Sequence, residues 1–160
     1  MRSNEFFRCV IGLLVASCVC LGASPLRAQT TNSAKVTQLL KETGFAYTTH
    51  NANTWSVDFD RKNLGKVKVI ISTGTDIVVT FAILAKKATI QKTPKFLETI
   101  AVANHEYDYT KTGLDKDGDL FVRIDTLLRV TDGMEMKSVI EQVANASEEV
   151  FVKVSGSIKR

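Results

Sequence analysis

Two hydrophobic periods alternate along this chain, and the switches between them mark its elements. From Ala34, the positions Val36, Leu39 and Leu40 share one helical face, with Asn32 or Ser33 placed to cap the start and Gly44 to end it. The period then shortens to two. Phe45 and Tyr47 open a first strand, and Asn51-Ala52-Asn53 makes a turn. Trp55, Val57 and Phe59 then alternate with Thr54, Ser56, Asp58 and Asp60. Asn63-Leu64-Gly65 predicts another turn and residues 66–71 another strand. After Gly74, residues 77–84 are apolar at nearly every position, as in a central strand covered on both faces.

The second half repeats the logic. Thr93-Pro94 offers a capping hydroxyl followed by proline at the first helical position, predicting a helix over 94–105 that buries Phe96 or Leu97, Ile100 and Ala101. Tyr107 and Tyr109 begin a strand, Asp115-Lys116-Asp117-Gly118 makes a tight turn, and 119–130 form a long strand. Thr131 or Asp132 then caps a last helix with the stripe Met136, Val139, Ile140, Val143, Ala146, Val150 and Val154. The order is α-β-β-β-α-β-β-α in the α+β class, a five-stranded, mainly antiparallel sheet with helices packed mainly on one face. No repeat or low-complexity run interrupts residues 34–160, which read as one domain after a loose polar linker at 29–33.

The N-terminus has a different character. Arg2 and Arg8 precede an uncharged, mostly apolar run over 9–25, and Leu26-Arg27-Ala28 provides a small-residue exit. Residues 1–28 read as a secretory signal peptide, too short to span a membrane comfortably. The expected location is periplasmic or extracellular. Val15-Ala16-Ser17-Cys18 also has the form of a lipobox, so cleavage before Cys18 would leave a lipidated cysteine and a membrane-anchored lipoprotein. Cleavage after Ala28 instead removes Cys9, Cys18 and Cys20, every cysteine in the chain, and with them any disulfide or thiol chemistry.

Charge adds little once the leader is set aside. The whole chain carries +4, but without Arg2, Arg8, Arg27 and Glu5 the balance is 18 basic against 16 acidic residues, or +2. That gives no reason to expect a nucleic-acid partner.

The element order, residues 97–104 of the middle helix, the segment Gly113-Leu114-Asp115-Lys116-Asp117-Gly118-Asp119-Leu120-Phe121-Val122-Arg123 and the helix after Asp132 together resemble the YbjN-like family and the wider type III secretion chaperone-like superfamily. The resemblance implies a small α+β fold. YbjN proteins are loosely described as sensory transduction regulators, and the chaperone branch consists of small cytoplasmic dimers that bind unfolded segments of other proteins. The export pattern sets this chain apart from that branch.

Side chains that could carry chemistry have structural readings. Asp115, Asp117 and Asp119 mimic the start of a calcium loop, but Leu120 and Thr126 stand where its glycine and bidentate glutamate belong. An exposed turn is expected instead. His50 and His105 are the only histidines, and neither belongs to a metal or nucleophile motif. Asn104 is expected to bond a neighbouring strand or helix end, and Trp55 to sit in the core. Lys86, Lys87, Lys92 and Lys95 read as a solvated surface. No enzyme and no cofactor are expected.

The sheet face turned away from the helices is more informative. With Val67, Val69 and Ile71 inward, Lys66, Lys68 and Ile70 face out, joined by Val78, Thr80, Ala82 and Leu84 and by Phe121, Arg123, Asp125 and Leu127. Ile70, Val78, Leu84, Phe121, Arg123 and Leu127 are the candidate surface for a protein partner or a homodimer, unless a helix crosses over to cover them. The expected function is a non-enzymatic, exported protein-binding domain. The alternative is a small-ligand or envelope-stress sensor with a pocket lined by Trp55, Phe81 and Ile100.

Overall fold

The computed structural model describes residues 25–159; the leader's apolar run and its cysteines, Cys18 included, lie outside the described residues. Three helices and six strands follow one another as α1 (Pro25–Thr43), β1 (Thr48–Asn51), β2 (Thr54–Arg61), β3 (Gly65–Thr73), β4 (Ile77–Ala85), α2 (Pro94–Glu106), β5 (Lys111–Leu114), β6 (Leu120–Leu127) and α3 (Gly133–Val154). All strand pairs are antiparallel, in the order β1-β2-β3-β4-β6-β5. Among the described residues no helix is long and apolar enough to cross a membrane.

The class and one-sided layering match expectation; the strand count differs by one. The turn expected at Asn51 closes a hairpin, with β1 and β2 paired Thr48 to Ser56 and Thr49 to Trp55. Phe45 and Tyr47 precede β1 and pack on the core from a loop, Phe45 meeting Phe59 edge-on at 5.5 Å between ring centres. Tyr107 and Tyr109 likewise lie before a strand, because β5 starts only at Lys111. Residues 29–33 belong to α1. Asn32 and Ser33 do not cap that helix. Their side chains donate to the carbonyls of Gly74 and Thr75, and of Ala52, fastening the first described turns of α1 to two hairpin ends.

Helix α3 is the centre of the fold. Every residue of its expected stripe is buried, and the helix lies across the inner faces of β2, β3, β4 and β6. Asp132 caps it, its carboxylate accepting from the Glu135 backbone N–H at 2.8 Å. Its start approaches α1 so closely that a Cβ on Gly133 would stand 2.6 Å from Glu42 Cβ, so only glycine fits there. Further along, the Glu148 carboxylate accepts from the backbone N–H groups of Asn63 (2.8 Å) and Leu64 (3.0 Å), holding the β2–β3 turn against the helix. Helix α2 starts as its sequence dictates, with Thr93 Oγ1 accepting from Phe96 N at 3.1 Å and Pro94 following. It buries Phe96, Ile100 and Ala103, while Leu97 and Ala101 stay exposed.

The inward sides of β3 and β6 are as expected: Val67, Val69 and Ile71, then Leu120, Val122 and Ile124. Strand β4 is the correction. Val78, Thr80, Ala82 and Leu84 face the helices and are buried, and Ile77, Val79, Phe81 and Ile83 face out. A strand apolar at nearly every position offers period two little contrast, so its sequence cannot choose between the two parities, and a one-residue slip exchanges every side chain. Thr80, expected on the outer side with them, is fully buried instead.

Adjacent substitutions check this parity. Val78→Lys should cost about 4 kcal/mol or more, because it buries an unpaired charge. Val79→Lys, beside outward Asp125, should stay within about 1 kcal/mol of the parent. A larger loss for Val79→Lys than for Val78→Lys in urea denaturation would show the assignment to be reversed, and equal losses would contradict it.

Candidate functional site

The outer sheet face is built from short cross-strand rows. Ile70 lies opposite Phe81, and Phe81 opposite Arg123, which in turn faces Lys111. Ile83 pairs with Phe121, Val79 with Asp125, and Ile77 with Leu127. Ile70, Val79, Phe81, Ile83 and Phe121 are half-buried by one another, and Ile77 and Leu127 are each 44% exposed. They form an apolar band across the three middle strands. Along β2 and β3 it is bordered by the facing pairs Asp58–Lys68 and Asp60–Lys66.

Of the residues expected on this surface, Ile70, Phe121, Arg123 and Leu127 are there, whereas Val78 and Leu84 are not. The missed members are Ile77, Val79, Phe81 and Ile83. No local signal would have found them. Only the pairing of β4 with β6, whose Arg123 and Asp125 mark its outer side, sets the parity. All three described helices pack on the inner side, and none covers this band.

The outward charges are matched to one another. The Asp125 carboxylate accepts from Arg123 Nε at 2.5 Å and from Lys111 Nζ at 2.9 Å. Burial pushes this carboxyl up, but the hydrogen bonds and charges of Arg123 and Lys111 outweigh it and hold Asp125 below the usual carboxylate range. The band therefore carries apolar area beside a hydrogen-bonded cluster of one carboxylate and two cations.

Other candidate groups have structural work. Asp115 Oδ1 accepts from its own turn, from Asp117 N and Asp119 N at 2.9 Å each. Asp119 binds Lys86 Nζ at 2.7 Å and Lys87 N at 2.9 Å, and these bonds hold its carboxyl below the usual range. The acidic triplet thus forms the expected turn and engages part of the lysine cluster. Asn104 bonds β5 at both its backbone groups, Nδ2 to Thr112 O at 2.8 Å and Oδ1 from Thr112 N at 2.7 Å. Trp55 is in the core. His50 Nε2 does meet a hydroxyl, Ser56 Oγ at 2.9 Å, a pairing the sequence did not reveal. Ser56 is buried under it, and among the described residues no carboxylate bonds His50, so the pair lacks both the orienting acid and the access of a nucleophile. His105 ends α2. Trp55 and Ile100 lie inside and Phe81 outside, so the sheet separates the three residues expected to line a sensor pocket.

No protein-family model and no curated protein matches the chain. Solved structures do. The type III secretion chaperone SycH of Yersinia pestis, determined in complex with a stable fragment of YscM2, aligns with a TM-score of 0.54 at 18% identity, over 74% of this chain and 98% of that one. YbjN from E. coli aligns at 0.56 and 12% identity, over 77% of this chain and 90% of that one. A chain of the ExsC–ExsE complex aligns at 0.56 and 14%, over 73% and 91%. The chain therefore has the fold shared by YbjN and the type III secretion chaperones.

The Asp125 cluster makes stability depend on pH in a fixed direction. A carboxyl held low in the folded state stabilises above its unfolded value of about 4, and that contribution fades as pH falls through the folded value. Asp125→Asn should cost about 1 kcal/mol at neutral pH. The gap to the parent should close between about pH 5 and pH 2 in urea titrations. A gap that stays constant over that range would contradict this role.

Proposed function

We propose that this chain is an exported, non-enzymatic domain that binds another protein through the open face of its sheet. The observation that carries the reading is the inverted bulk of β4. Its larger parity (Ile77, Val79, Phe81, Ile83) faces away from the helices, while the smaller one, with Thr80 and Ala82, lies beneath α3. Folding alone would place the larger set inside. A band of half-buried aromatic and branched side chains, flanked by paired charges, has the composition of a protein-contact surface. SycH and ExsC–ExsE, which share the fold, were both determined in complexes with other proteins. That supports a protein partner and a non-enzymatic role here. Export rests on the pattern of residues 1–28, and membrane attachment would follow only from lipidation of Cys18.

Ile77 and Leu127 face each other and are exposed, so Ile77→Lys with Leu127→Glu should leave the melting temperature within a few degrees of the parent. The same pair should abolish capture of the partner that co-purifies with the wild-type domain, or self-association where that partner is a second copy. Unchanged partners and unchanged oligomeric state would remove the open face from the reading. Intact-mass measurement of the exported protein should give an N-terminus at Gln29; a lipid-modified Cys18 would assign membrane attachment, and an unprocessed Met1 would contradict export.

A further inference from the structure

The open face of the sheet and the apolar run that precedes α1 meet at one end of the molecule. Helix α1 begins at Pro25 and is fastened to the end of the sheet by Asn32, on the carbonyls of Gly74 and Thr75, and by Ser33, on that of Ala52. At 1.5 Å per residue, Pro25 lies about 10 Å along the helix from Asn32, so the residues before it join the molecule beside the β3–β4 turn. That turn carries the exposed end of the apolar band. Gly74 N–H donates to Ile77 O at 3.1 Å, Leu128 N–H to Asp76 O at 2.9 Å, and Lys35 Nζ of α1 to Leu128 O at 2.5 Å. Ile77 and Leu127 are each 44% exposed, and Val130, whose N–H donates to Leu127 O, is 67% exposed. Further along β4, Val79, Phe81 and Ile83 are half-buried. The band is thus least covered where α1 begins.

The sequence before Pro25 suits that surface. Residues 9–24 hold no charged side chain and include Val10, Ile11, Leu13, Leu14, Val15 and Leu21. Such a run gains free energy by leaving water, and the tether gives it a high effective concentration at the nearest exposed apolar area of its own chain. The dimensions agree. Residues 9–24 span about 24 Å as a helix, and Ile77 to Ile83 cover about 20 Å along β4. The described helices all pack on the inner side of the sheet and leave the outer side clear. An uncharged occupant also strands no lone carboxylate there, because Asp125 is already bonded to Arg123 and Lys111.

We propose that, while the leader is attached, its apolar run over residues 9–24 folds back around the β3–β4 hairpin and covers the outer sheet face, closing that face to a protein partner. Removal of the leader, or its withdrawal into a membrane, opens the face. The inference rests on the protein-binding function above and adds a control to it: the surface that binds a partner in the processed protein is occupied by the chain's own N-terminus before processing. The same contact hides two apolar surfaces from other molecules at once, the run itself and the band, each of which invites aggregation when exposed.

All the native cysteines lie in the leader, so a thiol placed on the domain reports contact with it. The full chain is translated without membranes in a Cys9→Ser, Cys20→Ser background, which leaves Cys18, and is oxidised with copper phenanthroline. Ile83→Cys places a thiol at the far end of the band. Gln38→Cys places one on the exposed side of α1, about 20 Å from Pro25 along the helix. The disulfide from Cys18 to position 83 within one chain should form about tenfold faster than that to position 38, and Val79→Cys should behave like Ile83→Cys. Adding Leu14→Glu and Val19→Glu, which keeps the tether but breaks the apolar run, should erase the difference. Equal rates at positions 83 and 38, or a difference that survives the two glutamates, would overturn the proposal. Disulfides formed between two chains would overturn it in favour of a leader supplied by a second copy. None of these results alters partner capture by the processed protein, so the protein-binding function stands or falls separately.

Discussion

The packing of α3 against the inner face of the sheet is the constraint on which this molecule depends. The helix buries Met136, Val139, Ile140, Val143, Val150 and Val154 against a surface that includes Val69, Ile71, Val78, Ala82 and Val122. Helices α1 and α2 are then placed by α3 as much as by the sheet. The close contact at Gly133 sets the approach of α1, and Glu148 ties the β2–β3 turn to the same helix. A single two-layer core of this kind is enough to support a domain of this size without disulfides.

That arrangement leaves the opposite face of the sheet without a layer, and the residues there do not suit water alone. Phe81, Ile83, Ile70 and Phe121 shield one another incompletely, and Asp125 gathers Arg123 and Lys111 at the edge of the band. Pairing Asp125 within the surface lowers the cost of covering it, because that carboxylate is not desolvated alone. The likeness to YbjN and the secretion chaperones, at identities of 12–18%, extends to architecture and no further.

Much of the fold was legible in the chain because its signals are local. Thr93-Pro94 and Asp132 start helices where their capping chemistry dictates, and the stripe of α3 was recovered residue for residue. The alternation of β3 and β6 carries polar contrast, so their inward residues could be assigned. Asn104 and Trp55 also have the roles that their types imply. The failures are where contrast is missing or a distant partner decides. Tyr107 and Tyr109 alternate like a strand but stand in a loop, because pairing with β6 begins only at Lys111. Residues 29–33 look loose by composition, yet Asn32 and Ser33 find carbonyls on two hairpins far along the chain.

The candidate surface shows the same division. Its members on β3 and β6 (Ile70, Phe121, Arg123 and Leu127) followed from alternation, whereas Val78 and Leu84 were placed on the wrong side of β4. By itself, the sequence determined the α+β class, the starts of α2 and α3 and the mixed character of one sheet face, because period and capping are properties of neighbouring residues. Only the tertiary structure decided which half of β4 forms that face, and that α1 begins beside its exposed end. Both outcomes depend on pairing and packing between residues distant in the chain, and neither an apolar strand nor the start of a helix holds a local record of them.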